Sequence, residues 1–156
     1  MTAPSDTFDD PRVGNQRTRA AWALGGLELF VALAAIGGGS ALIADRWAMP
    51  REWLANTPFG TWAGPGVALI AAIAMPHLVA AAAVVVPSVP ARPGIFGGLL
   101  AGGSLIAWIV LQVALLRVFF FLQPVMLVVG VVEIALALWW RRDIENSAAR
   151  PPRGQP

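Results

Sequence analysis

The run Ala20–Ala44, AAWALGGLELFVALAAIGGGSALIA, decides the architecture. Glu28 is its one ionisable side chain, and the rest is apolar or small. A helix needs about 20 apolar residues to cross the hydrocarbon core of a bilayer, so this run is long enough to span. Three further runs of the same kind follow, at Ala63–Val86, Gly94–Leu116 and Val118–Trp140. They predict an all-α, four-helix transmembrane bundle over residues 20–140, with short, polar, disordered tails at 1–19 and 141–156. The first run is too long for the apolar region of a signal peptide, which makes it a retained span.

Composition points the same way. Of the 156 residues, 57% are hydrophobic and only 13% charged. Soluble domains carry about 25% charged residues, so this chain has too few charges to cover a water-facing surface. Cysteine is absent and there is one histidine. Those counts exclude disulfides, thiolate chemistry and a multi-histidine metal centre within one chain. No cofactor and no catalytic constellation is expected: there is no nucleophile–base pair, metal cluster or phosphate loop. All eleven basic residues are arginine, yet the net charge is only +2. The arginines flank the apolar runs rather than forming a patch, so they speak for topology and not for nucleic acid.

Arginine placement orients the bundle. With four spans, both tails and the middle link share one side. That side carries Arg12, Arg17, Arg19, Arg92, Arg141, Arg142, Arg150 and Arg153, against Arg46, Arg51 and Arg117 on the other. The expected location is the bacterial inner membrane, with both ends in the cytoplasm. The expected partners are the lipid bilayer and either another membrane protein or further copies of the chain.

The first link, DRWAMPREWLANTPFGTW at Asp45–Trp62, places Trp47, Trp53, Trp62 and Phe59 at a span boundary. Aromatic residues gather at that level because one edge of the ring is apolar and the other tolerates water. Met49–Asn56 can form one or two helical turns there, with Pro50 at the start and Thr57-Pro58 at the end; an ordinary interfacial loop is the plainer reading. The second link is PSVPARP, Pro87–Pro93, which cannot continue a helix. The third lies between Arg117 and Pro124, so the last span starts somewhere from Val118 onward.

In lipid, helices associate through close packing, and small residues permit it. Gly94, Gly98 and Gly102 form a stripe in the third run, and Gly64, Ala68 and Ala72 a similar one in the second. Packing within the bundle is the first reading of the glycine stripe and a dimer face the second. Gly37, Gly38 and Gly39 are expected to loosen the outer end of the first helix.

Polar residues inside the spans are where chemistry can reside, because a charge in lipid costs several kcal/mol unless paired or neutralised. They are Glu28, His77, Gln112, Arg117, Gln123 and Glu133. Counting 1.5 Å per helical residue, Glu28 and Glu133 lie roughly 12–14 Å in from Arg19 and Arg141. Two carboxyls at one depth on the first and last helices could face each other and share a proton. His77 falls slightly deeper, and Pro76 before it should kink the helix and free a carbonyl nearby. Glu28, His77 and Glu133 are therefore the candidate intramembrane site, as polar bonding between helices, as a proton or cation site, or as a ligand site. Arg117 reads as an interfacial anchor, with Asp45 and Glu52 as candidate partners.

The segments Gly26-Leu27-Glu28, Gly37-Gly38-Gly39, Asp45, Met49–Phe59 (MPREWLANTPF) and Gly64-Pro65-Gly66 resemble a group of small four-helix membrane proteins common in actinobacteria. The resemblance covers roughly residues 24–72. It departs at Thr57, where serine is usual, and at Arg46, where proline follows the aspartate. It implies the fold and carries no established activity. The small multidrug resistance family also has four short helices with a glutamate in the first, to which Glu28 would correspond by analogy. The Trp-rich link and the second glutamate in the fourth helix depart from that pattern.

Overall fold

The structure is a computed structural model that describes residues 17–149. The parts of the two tails carrying Arg12, Arg150 and Arg153 lie outside the described residues. Among those described there are four long apolar helices and no strand: α1 (Arg19–Ile43), α2 (Ala63–Val85), α3 (Ala91–Leu116) and α4 (Leu122–Ala148). Each is long and apolar enough to cross a membrane. The chain is a multipass membrane protein in contact with the lipid bilayer.

The helices run up and down around a square. α1 packs on α2 and α4, and α3 packs on the other side of the same two helices. α1 and α3 barely meet across one diagonal, while the backbones of α2 and α4 do not approach across the other. Large apolar side chains such as Trp22, Phe30, Leu33, Phe96, Leu100, Val110 and Val128 point outward, where a soluble protein would place polar groups. The interior instead takes in the polar side chains of Glu28, His77, Gln123 and Glu133 together with apolar ones.

That interior has two apolar layers. At the end carrying the tails, Ala20, Ala21, Leu24, Val84, Ala91, Ile95, Ala137, Trp140 and Ile144 pack together. Toward the opposite end, Val31, Ala35, Ile73, Ala74 and Leu105 form a second cluster. On α1, α2 and α4 the sequence passes from one cluster to the other through a single buried ionisable residue.

Close backbone approaches set the helix spacing. Gly39 and Gly66 meet where α1 crosses α2. A Cβ on Gly39 would lie 2.7 Å from the Gly66 carbonyl oxygen, and one on Gly66 would lie 2.6 Å from that of Gly39. This corrects two expectations. The glycine triplet does not loosen α1, which runs unbroken to Ile43. The contact on α2 is made by Gly66, while Gly64 sits against the Phe59 ring and Ala72 is exposed. On α3, Gly94 faces Trp140, Gly98 faces Leu24 and Ala137, and Gly102 faces the Gly130 carbonyl. That whole stripe packs inside the bundle.

Helix ends also differ from the sequence reading. α3 starts at Ala91, inside the proline-rich link, because Pro93 falls in the first turn, where a missing N–H costs nothing. α4 continues past Trp140 to Ala148, so the tail expected from Arg141 begins as helix. An Arg141–Glu145 ion pair at 2.8 Å and a Ser147 hydroxyl donating to the Asp143 carbonyl support that extension. α3 ends at Arg117, which takes a left-handed conformation (φ 52°) and donates its N–H to Val113. Gln123 then closes the turn: its Oε1 accepts from the Phe120 N–H and its Nε2 donates to the Val118 carbonyl.

The first link is ordered. A single 3₁₀ turn, Arg51–Leu54, buries Leu54. Trp62 donates its indole N–H to the Met49 carbonyl at 3.1 Å. Trp53 packs edge-on against both Trp62 and Phe120, tying this link to the one between α3 and α4.

Candidate functional site

α2 changes winding before it reaches the middle of the bundle. Ile70–Ala74 form a π turn, in which the Met75 N–H bonds the Ile70 carbonyl five residues back. Pro76 follows and has no N–H for the Ala72 carbonyl; its ring would also collide with that carbonyl in a regular helix. The wider turn relieves the collision, and π turns of this kind recur at functional positions. The kink expected at Pro76 takes this form. His77 Nδ1 lies 2.7 Å from the carbonyl of Ile73, within the same turn. A carbonyl only accepts, so Nδ1 carries a hydrogen.

The other ring nitrogen, Nε2, lies 3.3 Å from Glu133 Oε2 on α4. Two arrangements satisfy this contact: a neutral ring accepting from a protonated carboxyl, or an imidazolium donating to a carboxylate. They hold the same number of protons and differ only in where one of them rests. The contact bridges α2 and α4, the diagonal pair whose backbones stay apart. The contact places the side chains of His77 and Glu133 in one polar layer.

Glu28 on α1 completes the group. Glu28, His77 and Glu133 are all at 0% exposure. Glu28 and Glu133 are close enough to interact electrostatically. Both oxygens of Glu28, and Oε1 of Glu133, are buried without a hydrogen-bond partner. α3 contributes space: a Cβ on Gly98 would lie 3.2 Å from Glu28 Oε1, and one on Gly102 would lie 3.2 Å from Glu133 Cβ. Two of the stripe glycines thus line the polar layer as well as bringing helices together. Among the described residues, no His, Asp and Glu side chains are arranged as a metal-binding set.

The other polar residues of the spans stand apart. Gln112 is half-buried away from this layer. Gln123 serves the α3–α4 turn, and Arg117 forms no ion pair with Asp45 or Glu52.

The sequence reading missed Arg17, which it placed in the N-terminal tail. Its Nε donates to the Val84 carbonyl at 2.7 Å, and its Nη2 reaches the carbonyls of Ala83, Val86 and Val89 at 3.2, 3.2 and 2.6 Å. The carbonyls of Ala83 and Val84 are acceptors at the end of α2, where helical donors run out, and the other two belong to the link beyond it. The guanidinium also lies 5.4 Å from the centre of the Trp140 ring, at cation–π distance. Burial lowers its pKa from the ordinary arginine value, and arginine still remains charged at neutral pH. Nothing local in the sequence announces this role, because the partners are remote in the chain.

No protein-family model, curated protein or solved structure matches the chain. The resemblances to the actinobacterial four-helix proteins and to the small multidrug resistance family therefore remain sequence expectations.

Proposed function

We propose that this chain is a non-enzymatic membrane protein whose central Glu28–His77–Glu133 layer takes up and releases protons, as the coupling site of a small proton-linked carrier. One observation carries the reading: three ionisable side chains from three helices are fully buried together, and three of the four carboxyl oxygens have no hydrogen-bond partner. A purely structural polar contact gains most when every buried group is satisfied. Here one carboxyl holds the imidazole and the other has no hydrogen-bond partner, so adding or removing a proton changes which bonds the layer can make. The arginine bias supports a plasma-membrane placement with both ends cytoplasmic, which puts the layer in the cytoplasmic half.

A second reading rests on the His77–Glu133 contact. It joins two helices whose backbones do not approach each other, as a fixed clasp in an accessory subunit of a larger complex would. Reconstitution separates the two. Proton movement into proteoliposomes, driven by an imposed pH gradient and read by an entrapped dye, should be lost in Glu28→Gln and Glu133→Gln variants that still elute as folded protein. Wild-type vesicles no leakier than empty ones, or movement that survives both substitutions, would remove the carrier reading and leave the clasp.

A further inference from the structure

The π turn places the proton on one particular nitrogen of His77. Around Pro76, three carbonyls, those of Ala71, Ala72 and Ile73, would ordinarily be served by the N–H groups of residues 75, 76 and 77. The Met75 N–H is committed to Ile70, and Pro76 has none. The backbone of this turn is therefore short of donors in a region with no water to supply them. The His77 ring makes up part of the deficit by donating Nδ1–H to Ile73 at 2.7 Å. That bond commits Nδ1 and leaves Nε2 as the nitrogen facing Glu133.

We infer that Pro76 is a positioning residue: by starving the Ile70–Ala74 turn of a backbone donor, it holds His77 in the Nδ1–H form, so that Nε2 is the nitrogen that exchanges a proton with Glu133. Nε2 accepts from the protonated carboxyl, or donates to the carboxylate as imidazolium, and Nδ1 never leaves the Ile73 carbonyl. The opposite tautomer would carry hydrogen on Nε2 and present a bare Nδ1 to a carbonyl, which has no hydrogen to give. Glu28 and Glu133 are the titratable groups facing this layer from α1 and α4, and α3 presents Gly98 and Gly102 there. The inference deepens the proton-exchange reading and rests on it for its consequence, though not for its test.

The chain has one histidine, so ¹⁵N-histidine labelling reports His77 alone. In nanodiscs, the neutral ring of the wild type should show a protonated Nδ1 and a bare Nε2. Glu133→Gln should keep that pattern, because the glutamine amide can donate to Nε2. Pro76→Ala restores a backbone N–H, and the Nδ1–H signal should be lost or joined by an Nε2–H form. Pro76→Ser restores the same donor and replaces Pro76→Ala if the latter does not fold. An Nε2–H ring in the wild type, or a wild-type spectrum in the proline variant, overturns the inference. Flux that depends on Glu28 together with an unchanged tautomer in the proline variant would overturn this inference alone. A proline-dependent tautomer without flux would overturn the carrier reading alone.

Discussion

Arg17 and Glu28 both bring an ionisable side chain into the bundle from the same stretch of chain, and the structure treats them oppositely. Arg17 lies at the tail end, where α2 stops and its last carbonyls have no helical partners, and it bonds two of them, Ala83 and Val84, with two more in the link beyond, while resting over Trp140. Glu28 lies between the two apolar layers, where every neighbouring helix is in mid-course, and neither of its oxygens is bonded. The end of the bundle consumes a charge to complete its hydrogen bonding. The middle holds an ionisable group that the backbone does not need. The first arrangement fixes structure; the second leaves a group free to change state.

This contrast can be broken at several points. Trp140 is fully buried and supports both Arg17 and Gly94. Trp140→Ala should therefore cost about 3–5 kcal/mol, the range for removing a buried aromatic ring, in unfolding measured in mixed micelles. A much smaller loss would mean that the tail end is not held by this packing. Arg17→Leu should destabilise by about 2 kcal/mol, since hydrogen bonds to a charged group are lost and carbonyls are left bare. No change in that variant would show the Arg17 bonds to be dispensable.

Glu28→Leu should have the opposite sign. An apolar side chain of similar volume in place of an unpartnered buried acid should stabilise by about 1 kcal/mol, while abolishing proton movement. If the leucine variant is instead destabilised as strongly as Arg17→Leu, Glu28 has a partner and the contrast fails. The smallest effect is expected at Arg141→Ala. Its pair with Glu145 is exposed on both sides, and an exposed i,i+4 pair contributes about 0.3–0.5 kcal/mol. A larger loss would make the extension of α4 beyond Trp140 part of the folded core.

The parts legible from the chain were those that depend on length and period. The four spans followed from apolar runs. The end of α3 near Arg117 was legible for the same reason. Pro76 signalled a disturbed turn beside His77, but not that the ring itself would supply the missing hydrogen bond. Arg17 gave no signal at all, since an arginine ahead of an apolar run reads as a topological marker whichever way its side chain turns. The glycine pair Gly39 and Gly66 was equally hidden. Many glycines and alanines lie in these helices, and only the crossing of α1 and α2 selects those two.

By itself, the sequence determined that this is a four-span membrane protein carrying two acids and one imidazole in its apolar interior. Hydrophobic length is a one-dimensional property, and lipid enforces it span by span. Only the tertiary structure decided that Glu28, His77 and Glu133 share one layer, that Arg17 closes the end of α2, and that Gly98 and Gly102 make room for the acids. Those facts depend on the rotation of each helix about its axis. In lipid no hydrophobic gradient fixes that rotation, so close packing and hydrogen bonding between remote residues must do so.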